Sequence, residues 1–212
     1  MPQASVYNFE CGYLDSGIKY LPEQEKMRNF AVQNKGTKER DMRRIRNPWI
    51  GVEGYNCFGC CPTNPLGVHL NFYEDGEDIV SVWHPTQNHQ SWVNTLHGGI
   101  QAVLLDELCG WVIFHKLQTA GVTAKMETRY HKPVSTLQPY ITLRGRLKEM
   151  RRNVAYVVGE IWSADGVLLC ECVCTYFTYP QEKAVNEMGF VPSSVEGEEV
   201  SLADLVEKIV SE

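Results

Sequence analysis

Between Asn94 and Trp111 the chain reads NTLHGGIQAVLLDELCGW. Apolar residues fall on almost every side of this run, so the pattern predicts a buried helix from His97 to about Leu117. Downstream the apolar period shifts towards two. VTAKMETRYH, YITLRGRLKEM, NVAYVVGEIWSA and GVLLCECVCTYFTY are four strand candidates. In the second, Ile141, Leu143, Gly145 and Leu147 face one way and Thr142, Arg144, Arg146 and Lys148 the other. In the fourth, Cys170, Cys172 and Cys174 share one face and read as small core residues. Upstream, VHLNFYE and DIVSVWH flank Asp75-Gly76, a hairpin signal that Asp165-Gly166 repeats. The order is two strands, one long helix, four strands. Consecutive hairpins imply an antiparallel sheet, and that sheet is the partner available to cover the helix. The expected architecture is α+β, a long central helix wrapped by a curved antiparallel sheet.

Residues 47–180 carry these elements. They open with NPWIGVEGYNCFGCCPTNPLG, a structured loop or pair of turns rich in Gly, Pro and Asn. Residues 1–46 are polar and charge-dense and are expected to form an N-terminal extension. Its basic end, Lys35 to Arg46, reads as a solvated segment. Residues 181–212 are expected to be a tail with a short helix. Ser201 is its N-cap, and Leu202, Leu205, Val206 and Ile209 share a helical face.

Composition narrows the function classes. Of 212 residues 43% are hydrophobic, enough for a real core, and the formal net charge is −6. That balance gives no general attraction for nucleic acid or anionic membrane. No apolar run reaches the length of a transmembrane helix, and the first residues lack a secretory pattern. A cytoplasmic protein with reduced thiols is expected. Cys57, Cys60 and Cys61 form a lone C-x-x-C with one extra Cys and no second pair at zinc-site spacing. A structural turn is expected there, with no metal and no cofactor.

The helix carries the candidate chemistry. Gly98 and Gly99 open it, where unpaired N–H groups and the helix dipole can polarise a carbonyl. On these residues alone, the glycines could equally serve close packing. Asp106 lies among Leu104, Leu105, Leu108 and Trp111. Burying an unpartnered carboxylate costs several kcal/mol, roughly, so such a residue is a functional candidate. Glu107 lies about 100° further round, and only one of the two is expected to enter a given crevice. Gly98 and Asp106 stand roughly 12 Å apart along the axis, too far to reach one carbonyl. Two antiparallel helices can do so. The spacing therefore predicts a two-fold homodimer with composite sites.

LHGGIQAVLLDELCGW resembles the signature of hotdog-fold thioesterases of the phenylacetate-pathway and THEM type, in which HGG is followed after six residues by Asp. NCFGCCPTNPLGVHLNFY is similar to the Cys-Phe-Gly-Cys, Asn-Pro-x-Gly lead-in of many bacterial members. The resemblance runs from about Asn47 to Pro180. It implies a hotdog fold, a homodimer or a tetramer built as a dimer of dimers, and hydrolysis of acyl-CoA thioesters. It assigns general base or nucleophile to Asp106, the carbonyl-polarising N–H to Gly98 or Gly99, and water positioning to Thr123. Some members carry Asn or Gln six residues before the His. Here that position is Ser91, beside Gln90, which leaves this water contact to either.

Several expectations follow for the substrate. Arg129, Lys132, Arg144, Arg146, Lys148, Arg151 and Arg152 are candidate contacts for the CoA diphosphate. Trp83, Trp92, Trp111 and Phe114 are candidates for the acyl pocket. His97 is expected to fix the helix start. The rival reading is a non-catalytic protein that binds acyl-CoA or an apolar carboxylate, and Ser91 in place of Asn favours it. A hydratase would want an Asp and a His on a segment opening the helix, and that pair is missing.

Overall fold

The computed structural model describes residues 42–211. Eight strands form one antiparallel sheet: β1 (Met42–Ile45), β2 (Tyr73–Asp75), β3 (Asp78–Trp83), β4 (Gly121–Tyr130), β5 (Ile141–Arg151), β6 (Val154–Ser163), β7 (Leu168–Thr178) and β8 (Val195–Val200). Their order is β4-β7-β6-β5-β3-β2-β1-β8. Three helices accompany them: α1 (Gly98–Lys116), α2 (Gln181–Met188) and α3 (Leu202–Ser211).

The apolar run forms α1 within a residue of its expected ends. His97 caps the N-terminus, its side chain accepting from Gly99 N–H at 2.9 Å. That satisfies one of the orphan donors of the first turn. Leu104, Leu105, Leu108, Cys109, Val112 and Ile113 face the sheet and are fully buried. Two strand glycines let the helix approach closely. A Cβ on Gly145 of β5 would lie 2.9 Å from Leu108 Cγ, and one on Gly159 of β6 3.0 Å from Cys109 Sγ. The alternating cysteines of β7 lie under the same helix, with Cys172 Sγ 3.8 Å from Cys109 Sγ.

Both hairpin signals are turns with glycine at positive φ, 58° at Gly76 and 78° at Gly166. Of VHLNFYE only Tyr73 and Glu74 lie in strand β2, which ends at Asp75. His69 takes φ 53°, which breaks the extended run, and its Nε2 lies 2.5 Å from the Asn64 carbonyl.

The sheet reaches beyond 47–180 at both ends. Met42–Ile45, within the expected extension, pairs with β2 and β8. The expected tail supplies β8 and α2 as well as a helix. β8 bends through Gly197 at φ 76° and pairs with a register shift against β1. Residues 1–41 of the expected extension lie outside the described residues. The C-terminal helix forms as the pattern predicts. Ser201 Oγ caps Asp204 N–H at 3.2 Å and Leu205 is buried in a small cluster with Met42, Val80 and Val82.

Candidate active site

α1 runs along the sheet so that Asp106, half-buried, meets the paired strands β4 and β7. Thr123 on β4 and Tyr176 on β7 are direct cross-strand partners. A bulge follows Thr123, which turns the edge strand just where its hydroxyl is needed. Thr123 Oγ1 donates to Asp106 Oδ1 at 2.9 Å. Tyr176 OH donates to the Asp106 carbonyl at 3.0 Å and lies 3.4 Å from Oδ1. Burial pushes the Tyr176 phenol well up, so it stays a donor. The carboxylate is therefore aimed by two hydroxyls, one from each strand.

Asp106 opens onto a cavity of about 340 Å³. Trp49, Tyr55, Trp111, Phe114 and Phe190 give it an aromatic wall, with ring centroids 4.9 Å apart for Trp49 and Phe114 and 5.5 Å for Phe114 and Phe190. Glu107 lines the same cavity. This corrects the expectation that only one of the two carboxylates enters a given crevice. The lead-in loop folds over α1, so the crevice is wide enough to span both positions. Glu107 accepts from Trp111 Nε1 at 3.1 Å and from Cys57 Sγ at 3.5 Å. A hydrogen bond from the Cys60 thiol, assisted by the Gly59 and Cys60 backbone N–H groups, holds the Cys57 thiol down to about 7. Burial and the Glu107 carboxylate act against that shift.

The remaining sequence candidates separate clearly. Gly98, Gly99 and Ser91 do not line this cavity. The Gly99 N–H is taken by the His97 ring, whereas the Gly98 N–H has no acceptor among the described residues. The Gly98 carbonyl accepts from Tyr130 OH at 3.0 Å. Ser91 is exposed, with its hydroxyl 3.5 Å from the Thr95 carbonyl. Trp83 belongs to the core and donates to the Val68 carbonyl, while Trp92 is 81% exposed. Trp111 and Phe114 do line the cavity. Among the basic candidates, Arg144 is engaged by Asp75 at 2.8 Å and Asp78 at 2.6 Å, Arg146 by Glu160 and Arg151 by Glu149.

Sequence reasoning missed Tyr176, Trp49, Tyr55 and Phe190. Tyr176 had a signal, for it continues the buried alternation of Cys170, Cys172 and Cys174. The other three come from loops and the C-terminal segment, where no period points inward.

A long helix thus carries an aimed carboxylate over an antiparallel sheet. Residues 93–170 match the Thioesterase superfamily. Over that stretch the chain is similar to the thioesterase superfamily. Its fold is the hotdog fold. No curated protein matches it in sequence. A crystal structure of a thioesterase superfamily protein is 26% identical over 55% of this chain, with a TM-score of 0.52. The match spans 57% of that protein's length. A Streptococcus mutans UA159 protein solved bound to acetyl CoA is 14% identical, with a TM-score of 0.50 over 60% of this chain and 95% of that one. A thioesterase-like, phenylacetic acid degradation-related protein from Ralstonia eutropha JMP134 is 20% identical, with a TM-score of 0.49 over 57% and 92%. No helix among the described residues is long and apolar enough to cross a membrane.

Proposed function

We propose that the protein hydrolyses acyl-CoA thioesters to a free acid and CoA. The observation that carries this reading is Asp106, held by Thr123 and Tyr176 at an apolar cavity in a domain similar to the thioesterase superfamily. Asp106 acts as general base on a water, or attacks the acyl carbon itself. The acyl group occupies the aromatic cavity. The carbonyl oxygen, which gains charge as the tetrahedral intermediate forms, is stabilised by the Gly98 N–H at a helix N-terminus. The thiolate of CoA then leaves, and on the nucleophilic route water hydrolyses the resulting acyl-Asp106 anhydride to release the acid.

The Gly98 N–H comes from a second copy, because helix geometry puts it roughly 12 Å along the axis from Asp106 in its own chain. β4 edges the sheet in this protomer, and Val122 on it is exposed. Trp92 and Val93, just before α1, are each 81% exposed. A two-fold partner would cover both the strand edge and these side chains.

The test is thiol release from short, long and aromatic acyl-CoAs by wild type and Asp106→Asn. Turnover by wild type should fall at least about a hundredfold in the variant. Binding of CoA esters without turnover by either protein would instead mark a non-catalytic binding protein.

A further inference from the structure

The sequence leaves CFGCC as a turn because C-x-x-C lacks a third ligand nearby. The fold supplies one from a distance of fifty residues. The Sγ atoms of Cys57 and Cys60 and a carboxylate oxygen of Glu107 all lie within 4.8 Å of one another. Cys57 Sγ stands 3.5 Å from Glu107 Oε1. Tetrahedral zinc with sulfur and oxygen ligands at about 2.0 to 2.3 Å places its ligand atoms roughly 3.5 Å apart.

Three further features fit a cation. Gly59 N–H donates to Cys57 Sγ at 3.3 Å, and Cys61 N–H closes the turn on the Cys57 carbonyl at 3.2 Å. The Gly59 amide aimed at the Cys57 sulfur is the kind of contact that holds a thiolate ligand. Gly59 is needed for the approach, since a Cβ there would run into the Glu107 carboxyl group. Charge is the third feature. Asp106, Glu107 and two cysteines line one cavity, and among the described residues no Lys, Arg or His lines it. Anionic ligands gathered in a partly enclosed space without a counter-charge favour a divalent ion.

We propose that Cys57, Cys60 and Glu107 bind one divalent cation of the zinc class, which ties the lead-in loop to α1. Two thiolates select a borderline-soft ion over magnesium or calcium. Three protein ligands leave one coordination position open to the cavity. Cys61 is not part of the site, for its thiol lies against Thr63 Oγ1 at 3.3 Å and the Tyr55 carbonyl.

The experiment measures metal without substrate, so its outcome is independent of whether the protein is a thioesterase. Full-length protein is purified under mild reductant, its zinc measured by elemental analysis, and the stripped protein titrated with Co²⁺ and Zn²⁺. About one zinc per chain is expected, with sulfur-to-cobalt charge-transfer absorption for the Co²⁺ form. Cys57→Ser, Cys60→Ser and Glu107→Gln should each weaken binding more than the roughly tenfold that losing an outer partner costs. Cys61→Ser should bind as wild type, and circular dichroism checks that each variant is folded. If the thiolate variants do not fold, the Co²⁺ spectrum of wild type decides alone. Folded, reduced wild type that takes up no stoichiometric zinc and gives no thiolate–cobalt band overturns the proposal. So does a stable Cys57–Cys60 disulfide, or equal binding by Glu107→Gln.

Discussion

At the residue scale the site depends on how one carboxylate is aimed. Thr123 and Tyr176 both donate to Asp106, but to different atoms. Thr123 reaches the carboxylate oxygen at 2.9 Å, while Tyr176 is closest to the backbone carbonyl. A hydrogen bond to a charged group contributes about 1.5 to 3 kcal/mol. Thr123→Val should therefore lower kcat at least about tenfold with little change in KM. Tyr176→Phe should cost thermal stability first, because it removes the second hydrogen bond to a carbonyl inside α1. Steady-state kinetics beside thermal melts separate the two, and an unchanged kcat in Thr123→Val would mean that this hydroxyl does not position the acid. How much of this was legible differs by residue. Asp106 was readable because a charge inside an apolar helix has few bland explanations. Thr123 was legible by resemblance alone. Tyr176 sat in plain sight on a face already recognised as buried, but an aromatic at the end of an apolar strand reads as packing.

At the element scale, α1 ends against the part of the chain that sequence reasoning treated as tail. His115 Nδ1 lies 2.6 Å from Ser193 Oγ, and its Nε2 lies 3.0 Å from Glu74 Oε1 on β2. Lys116 Nζ reaches the same carboxylate at 2.9 Å. Burial lowers the His115 pKa despite Glu74 beside it, so the ring is neutral, donating to Glu74 and accepting from Ser193. Burial also acts to raise the Glu74 pKa, but Lys116 and His115 together leave it below the ordinary value. Both shifts have the same sign. The unfolded chain binds protons that the folded chain does not, so stability rises with pH. The histidine contribution is complete above about pH 6.5 and fades as pH falls through that value towards the lowered one. Glu74 adds its loss at more acid pH. Melting temperature followed from neutral to acid pH should fall across the histidine range in wild type, and that segment of the curve should flatten in His115→Gln. An unchanged curve in the variant would place the acid sensitivity elsewhere. The helix, the long strands and both hairpins were legible because each repeats its period over many residues. β1 and β8 were not, since strands of four to six residues owe their form to the neighbour they pair with.

At the scale of the whole molecule, the proposed site is complete only across two chains, and that can be tested by mixing. A variant is needed that removes the Gly98 N–H and nothing else. Proline serves, because N1 of a helix tolerates it and the missing donor is one the helix does not use. The residue before a proline must be extended, and His97 already is, at φ −62° and ψ 134°. The space is there as well, since a Cβ on Gly98 would be 3.5 Å from the Tyr130 ring. Gly98→Pro should thus keep the melting temperature and lose most turnover, the cost of an oxyanion donor being roughly a hundredfold or more. Asp106→Asn alone should also be nearly inactive. If each site takes its acid from one chain and its N–H from the other, a mixed dimer has one site with both defects and one with neither. Equal mixing with free exchange makes half the dimers mixed, so about a quarter of wild-type activity should return. If both groups instead served one site within a chain, every site in every dimer would carry a defect. Mixing would then restore nothing. Recovery from two dead proteins can come only from a shared site, whereas its absence after demonstrated subunit exchange would confine catalysis to one chain.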